Sequence, residues 1–365
     1  MKIKVALLSA GLGNVSRGFE TSAATWFEYL HGANLIDCRL FAGGQYKNAV
    51  RIPNISRNST LANILKRLQL IKDGCRLEQL TFSLSFLIYM IGFKPDILWV
   101  QEATLAQMAL KFKKIFRFSY KIVFCDGAPV GHQFAKQFDH IVFLEKFAAQ
   151  KALNDGVPTE KISVIPYICL TPKTFIEKKD ARALFGLPEN DFVIICVAAW
   201  NTHHKRIDYL LNEIALLGQD DVTLLLCGQP EAETVMLKDL AKQLGIKTKW
   251  VTLPPSELTK AYFAADIFVL PSLKEGLGAV LIEAGFHKLP VLCHPYDSAL
   301  YIFGEEYDGL TDLSIKGNLA KKIEAFRKTD LTIKGNEVAV HINNTFNPDM
   351  LTQKFISMAE QVYNS

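Results

Sequence analysis

Two glutamates eight positions apart are the residues best placed to do chemistry. In Pro271-Ser-Leu-Lys-Glu-Gly-Leu-Gly-Ala-Val-Leu-Ile-Glu-Ala, Glu275 precedes Gly276 and Gly278, and Glu283 follows inside an apolar helical stretch. The glycines let the backbone approach a ligand closely. The helix that follows offers unpaired N–H groups and the positive end of its dipole to a phosphate. Glu275 then sits at the mouth of an anion site. Glu283, roughly one and a half turns into the helix, is placed to accept hydrogen bonds from ribose hydroxyls. The plain alternative is an exposed helix start with two solvated glutamates. A buried strand, Ile267–Leu270, feeding a Gly-rich turn argues against it.

Other chemistries are excluded or thinly supported. Gly11, Gly13 and Gly18 in the first loop do not fit G-x-G-x-x-G, and there is no G-x-x-x-x-G-K-[ST]. His203 and His204 hint at a metal, but no third ligand is evident, so no metal site is expected. The 7 cysteines form no C-x-x-C pair, and several lie in apolar strand-like runs. They read as buried thiols of a reducing compartment, and the expected location is the cytoplasm.

The elements that must position these residues follow a repeated strand–turn–helix pattern. Strands are expected at Lys2–Leu8, Asp96–Val100, Lys121–Phe124, His140–Leu144 and Ile162–Ile165, with helices at Glu20–Leu30 and Lys146–Asn154. A linker is expected over residues 168–180, including the charged run Glu177-Lys-Lys-Asp. A second run then begins: strands Phe192–Ala198, Val222–Cys227, Lys249–Leu253, Ile267–Leu270 and Val291–Cys293, with helices Arg206–Leu217, Thr234–Leu244, Glu257–Ala265 and Ala279–Phe286. The tail from Ile315 reads as three helices. Alternation in both halves implies an α/β protein of two doubly wound parallel sheets, whose ligands lie outside the carboxyl ends of the strands. A chain of 365 residues is long enough for two or three domains. The expected division is 1–170, 171–346 and a terminal helix, 347–365.

Charge is divided unevenly. Residues 1–170 carry 21 Lys/Arg and 12 Asp/Glu, whereas residues 171–365 carry 20 and 25, within a net charge of +4. The basic half suits an anionic partner. Lys111-Phe-Lys-Lys-Ile-Phe-Arg-Phe-Ser-Tyr-Lys is basic and aromatic, which suggests either peripheral contact with a membrane through the first domain or an ordinary amphipathic helix. Nucleic acid is not an expected partner, because no nucleic-acid module pattern accompanies the modest charge. No apolar run reaches the roughly 20 residues of a membrane span. The apolar N-terminal run is short and flows into a Gly-rich turn, so it reads as a strand rather than a signal peptide.

The stretch from Glu275 to Glu283 resembles the E-x7-E signature of retaining glycosyltransferases of family 4, which have the GT-B fold. Ala264-Ala-Asp-Ile-Phe-Val-Leu-Pro-Ser resembles the strand ahead of that signature, and Glu283-Ala-Gly-Phe-His-Lys-Leu-Pro-Val-Leu the segment after it. His204-Lys-Arg-Ile-Asp-Tyr-Leu-Leu is similar to the donor-phosphate motif. Asn154-Asp-Gly-Val-Pro-Thr-Glu-Lys-Ile-Ser-Val-Ile-Pro is similar to the end of the family's first domain, and Arg17-Gly-Phe-Glu to its first loop.

The resemblance implies two facing Rossmann-like domains, an acceptor-binding one followed by a donor-binding one, with the last helix crossing back to the first domain. It implies transfer of a sugar from a nucleotide-diphosphate sugar, as substrate and without a cofactor, to a glycan or lipid-linked glycan. Glu275 would lie near the donor sugar and Glu283 on the ribose. Backbone N–H groups of Leu277, Gly278 and Ala279 would hold the diphosphate with Lys205. The chain departs from the family in having Trp200 where arginine is common, and Arg206 after Lys205 in place of glycine. Arg206 is expected to supply part of the missing charge; a solvated arginine at the helix start is the alternative. Trp200 reads as core or as a wall of the sugar pocket, with core preferred. Gly13 is implicated in donor contact and Arg17 in acceptor contact. At the end of the strand Lys121–Phe124, where the family often has histidine, this chain has Asp126, with His132 six residues on. Asp126 could orient a sugar hydroxyl or take the acceptor proton, or serve as the turn former of Asp-Gly. The absence of a D-x-D triplet argues against a metal-clamped diphosphate. An epimerase of the same architecture and a non-catalytic nucleotide-sugar binder are the alternatives.

Overall fold

The computed structural model describes residues 2–15, 18–32, 36–127, 131–169, 171–172 and 174–365, except for the side chains of His132, Pro255 and Ser256. The chain divides into two compact units, one of Met1–Ile168 with Pro348–Ser365 and one of Cys169–Asn347.

Among the described residues the first unit holds a seven-stranded parallel sheet. Its strands are β1 (Ile3–Ser9), β2 (Ile36–Ala42), β3 (Val50–Arg51), β4 (Ile97–Val100), β5 (Lys121–Asp126), β6 (His140–Phe143) and β7 (Ile162–Val164), in the order β3-β2-β1-β4-β5-β6-β7. Its helices are α1 (Gly18–His31), α2 (Thr60–Arg67), α3 (Gly74–Phe93), α4 (Ala103–Phe116), the short α5 (His132–Ala135) and α6 (Lys146–Asn154).

The second unit begins with α7 (Lys178–Phe185) and carries a five-stranded parallel sheet of β8 (Phe192–Val197), β9 (Val222–Cys227), β10 (Lys247–Val251), β11 (Ile267–Leu270) and β12 (Val291–Cys293), ordered β10-β9-β8-β11-β12. Its remaining helices are α8 (Ile207–Ala215), α9 (Thr234–Gln243), α10 (Pro255–Phe263), α11 (Ala279–Phe286), α12 (Asp297–Phe303), α13 (Asn318–Arg327) and α14 (Leu331–Phe346). The last helix, α15 (Pro348–Asn364), is part of the first unit.

Central strands such as β4 and β11 are buried at every residue. Covered on both faces, they must read as unbroken apolar runs, which is how the sequence announces them. One device recurs at their amino ends. Asp96, Asp139 and Asp266 each stand one residue before a strand. Each accepts a hydrogen bond from the backbone N–H opposite it on the neighbouring strand: Lys4 at 2.8 Å, Ile122 at 2.8 Å and Val193 at 2.7 Å. Each carboxylate thereby satisfies an amide beyond the end of the ladder.

The charged run Glu177–Asp180, expected as linker, instead opens α7. Lys178 and Arg182 both reach Asp266, at 2.8 and 2.6 Å, while Ala181 and Phe185 are buried. This tertiary anchoring makes a helix of a stretch whose composition suggests a tether. The segment from Lys111 to Lys121 is not one amphipathic helix either. It comprises the end of α4, a left-handed turn at Arg117 and the first residue of β5. The 7 cysteines are free thiols and all but Cys75 are buried. Among the described residues, no helix is long and apolar enough to cross a membrane.

α15 returns to pack on α1, β1 and β4. Phe355 is fully buried, its ring 5.0 Å from Trp26 and 4.8 Å from Trp99. Truncating such a side chain removes its burial and leaves a cavity. Phe355→Ala should therefore cost the first unit about 3–5 kcal/mol, read as an earlier midpoint in denaturant for the transition of that unit. A shift below about 1 kcal/mol would mean that α15 is held by other contacts.

Candidate functional site

Of the sequence-marked residues of the second unit, Lys205, Arg206 and Glu275 come together beyond the carboxyl ends of β8 and β11, whereas Glu283 is held separately by Tyr262. β8 leads into Ala198–Asn201. There Asn201, 3 % exposed, organises the following turn. Its side-chain oxygen accepts the N–H groups of His204 (3.2 Å) and Lys205 (2.8 Å), and its amide donates to Glu231 at 3.0 Å. The turn ends at Arg206, which is left-handed at φ 50° immediately before α8. From it Lys205 extends its ammonium to donate to Oε1 of Glu275. His204 joins the pair: Nε2 is 3.8 Å from the same oxygen and 3.2 Å from the carbonyl of Lys274.

Glu275 lies in the turn between β11 and α11. Gly278 stands just before α11 at φ 76°, a conformation that disfavours side chains, and a Cβ there would lie 3.0 Å from Leu281. Leu277 is buried, and Ala279 is the first helical residue. The first N–H groups of α11 have no partners within the helix, and the dipole adds partial positive charge there. A carboxylate, an ammonium and a helix N-terminus therefore converge on one turn. Such a place can hold an anion and stabilise one that forms.

Glu283 is 8 % exposed, and its Oε2 accepts from the Tyr262 hydroxyl at 2.9 Å. Tyr262 stacks on His287, whose Nδ1 lies 2.7 Å from the Glu283 carbonyl. Burial brings the His287 pKa down to about 4, so the ring is neutral near pH 7. Because a carbonyl only accepts, Nδ1 carries the proton. The segment holding Glu283 is thus braced from below by two aromatic rings.

Arg206, expected to supply part of the donor-site charge, is held against backbone carbonyls. Its Nη1 donates to the carbonyls of Pro271 (3.2 Å) and Leu313 (2.8 Å), and its guanidinium lies 4.2 Å from the Tyr209 ring. These bonds tie the end of β11 to the 313 loop, and Lys205 is the cation that reaches Glu275. Trp200 is 4 % exposed and edge-on to Trp250 at 5.1 Å, hence core. Asn201 and Tyr262 were not singled out from the sequence. Asn at the start of a turn, capping N–H groups three and four residues on, was the available signal for the first. Nothing local marks the second.

In the first unit, Gly13 is at φ 83°, and a Cβ there would meet the Gln45 carbonyl at 2.6 Å. Packing against residues 44–45 is sufficient reason for the glycine. Asp126 ends β5, half-buried, opposite Phe143 of β6. It contributes to raising the buried Tyr167 hydroxyl well above its ordinary pKa, after the larger effect of burial. His132 begins α5, its side chain outside the described atoms, and Arg17 lies outside the described residues. Among the described residues no group of His, Cys, Asp and Glu could hold a metal ion.

Residues 177–331 match the family described as glycosyl transferases group 1. An uncharacterized glycosyltransferase of Methanocaldococcus jannaschii is 29% identical over 165 residues, covering 42% of this chain and 42% of the relative. A D-inositol 3-phosphate glycosyltransferase of Mycolicibacterium smegmatis is 30% identical over 169 residues, 44% of this chain and 38% of the relative. The chain thus spans about two fifths of the length of the curated relatives it matches. Among solved structures, sucrose-phosphate synthase from Thermosynechococcus elongatus superposes with a TM-score of 0.81 at 16% identity over 100% of both chains. HepE of Anabaena, in complex with UDP and glucose, superposes with 0.75 at 14% identity, over 97% of this chain and 98% of that one. These likenesses establish the fold, which is of the GT-B type.

The matched segment contains both partners of the Tyr262–Glu283 bond. Hydrogen bonds to charged groups contribute about 1.5–3 kcal/mol. Tyr262→Phe should destabilise the second unit by about that amount, with an unchanged denaturant slope. Stability equal to the native chain would mean that the hydroxyl is not holding the carboxylate.

Proposed function

We propose that the chain is a glycosyltransferase. It moves a sugar from a nucleotide-diphosphate sugar to an acceptor, with retention of configuration and without a metal or cofactor. The observation that carries this reading is the start of α11. A helix N-terminus stands there beside a paired Lys205 and Glu275, within a segment that matches a glycosyltransferase family.

In this reading the diphosphate takes the N–H groups of Leu277, Gly278 and Ala279. Lys205 turns from Glu275 to the phosphates. As the bond from sugar to diphosphate breaks, negative charge grows on the leaving group, and the ammonium and the helix dipole stabilise it. Glu275, freed of its partner, lies beside the donor sugar, and Glu283 accepts from the ribose. The acceptor hydroxyl attacks from the face the diphosphate leaves, so no protein nucleophile is required. Asp126 and His132 are further catalytic candidates, Asp126 as the group that orients a hydroxyl or takes its proton, and Arg17 is the acceptor-contact candidate.

Catalytic groups of this kind contribute about 10²–10³-fold to kcat. Lys205→Ala and Glu275→Ala should each lower transfer by a comparable factor; near-native rates in both would reject the site. UDP-, GDP- and dTDP-sugars would be screened by the rise in Tm that binding produces, with UDP-sugars first because HepE binds UDP and glucose. The anomer seen by NMR at first turnover tests retention, and the opposite configuration rejects it.

The acceptor, in the same reading, is anionic or held at an anionic membrane, such as a lipid-linked glycan. The first unit supports this with exposed apolar side chains beside cations. Leu84, Ile88 and Ile91 of α3 and Ile115 and Phe116 of α4 are all at least half exposed. Lys94, Lys111, Lys114 and Arg117 are exposed on or beside the same two helices. Lys113 is paired with Asp139 at 2.8 Å and belongs to the fold instead. Replacing Lys111, Lys114 and Arg117 by Gln should weaken partitioning to anionic vesicles, at about 1 kcal/mol per charge near the surface. Unchanged partitioning would remove this face as the contact.

A further inference from the structure

A buried charge cluster underlies the first loop and takes no part in the chemistry above. Glu20 of α1, Glu78 of α3 and Glu102, just before α4, are each 5 % exposed or less. One guanidinium, that of Arg57, lies among them. Its Nε lies 2.5 Å from Glu78 and its Nη2 3.3 Å from Glu20. Glu78 also takes the backbone N–H of Arg57 at 3.1 Å. Glu102 is left over: its Oε1 is 4.0 Å from Nη2, beyond hydrogen-bond range, whereas its Oε2 accepts the backbone N–H of Ala10 at 3.0 Å. The groups facing Glu102 are Arg57, Glu20 from α1, Glu78 and Cys75 from α3, and the Ala10 amide at the end of β1.

That amide is the first of the Gly-rich loop. Ala10 is fixed on its other side by Asn54, which donates to its carbonyl at 2.9 Å. Gly11 lies directly on the cluster: a Cβ there would meet Glu20 at 2.2 Å and Arg57 at 2.7 Å. The loop therefore rests on the carboxylates, and its position depends on how they are charged. A buried cluster with three carboxyls and one cation is most easily accommodated when one carboxyl keeps its proton. The carboxyl without a cation at hydrogen-bond distance is the one to do so.

We propose that Glu102 is a positioning residue, a neutral acid that anchors Ala10 and with it the Gly11–Gly13 loop, and that loss of its proton loosens the loop. Burial, with Glu20 and Glu78 nearby, pushes its pKa up to about 8 against the lowering effects of the Ala10 amide and Arg57. When the loop opens and Glu102 meets water, the carboxyl returns to about 4.3. Between those values the closed loop binds a proton that the open loop does not. Closure is therefore strongest at acid pH, weakens as pH rises, and levels off above about pH 8. Its consequence for turnover rests on the transferase reading; the anchoring does not.

Hydrogen exchange at the amides of residues 11–15 tests this, with exchange corrected for base catalysis. From pH 6 to pH 8 the native chain should lose protection by up to about tenfold per pH unit, with no further loss above. Glu102→Gln mimics the neutral acid and should hold its protection across that range. Glu102→Leu, which cannot accept from Ala10, should lose it at every pH. The Tm of Glu102→Gln relative to the native chain should rise from pH 5 to pH 8 and then stay constant. Equal losses in the native chain and Glu102→Gln, or a Tm difference independent of pH, would overturn the proposal. Should the variants fail to fold, infrared titration of the native chain decides. A protonated carboxyl persisting at pH 7 and disappearing near pH 8 supports it, and none at pH 7 overturns it. None of these measurements involves sugar transfer, so the two readings fail separately.

Discussion

Three strands, β4, β6 and β11, are pinned at their amino ends by aspartates, and much of each unit's arrangement depends on that. A parallel strand enters its sheet with an amide beyond the last ladder bond, and a buried amide without a partner costs free energy comparable to a lost hydrogen bond. Asp96, Asp139 and Asp266 supply the partner in the same way, one residue ahead of β4, β6 and β11. Each fixes one strand against its neighbour. A one-residue slip would turn every side chain to the opposite face, so pinning the amino end also decides which residues emerge at the carboxyl end. Asp266 does more, because Arg182 and Lys178 hold α7 to it. The turn bearing Glu275 thus begins from a strand whose register is set at its far end.

At the carboxyl ends the same chemistry is used differently. Carboxylates there include a cluster with fewer cations than acids. Glu275 is paired with Lys205, with His204 3.8 Å away, and Glu102 lies with Glu20 and Glu78 around Arg57. At the amino ends each carboxylate holds a backbone amide, and Asp139 and Asp266 hold cations as well; in the Arg57 cluster three carboxylates crowd around one cation.

Much of this was legible in the sequence, for identifiable reasons. β11 and α11 fall at Ile267–Leu270 and Ala279–Phe286 as expected, because a fully buried strand and a Gly-opened apolar helix have strong local signatures. The aspartates were visible as well, in Pro95-Asp-Ile, Phe138-Asp-His and Ala265-Asp-Ile, although their purpose was not. β2, α2, α3 and α12 were not expected from the sequence; α2 buries only Ala62. Along α3, Phe82, Phe86, Met90 and Phe93 face the core while Leu84, Ile88 and Ile91 do not. Apolar residues on both faces erase the period that would reveal the helix. Within the site, chemistry was easier to read than allegiance. Lys205 and Arg206 are adjacent cations, and only the structure shows that one reaches Glu275 while the other reaches the carbonyls of Pro271 and Leu313.

The return of α15 to the first unit has a consequence for the order of assembly on the ribosome. Trp26 and Trp99 are made early, but the ring that covers them, Phe355, is made only after the whole of Cys169–Asn347. At about 5–20 residues per second, that face waits on the order of ten to forty seconds for its cover. The second unit, continuous in sequence, has no such delay. The half of the molecule translated first is therefore completed last, when Phe355 closes the packing around Trp26 and Trp99.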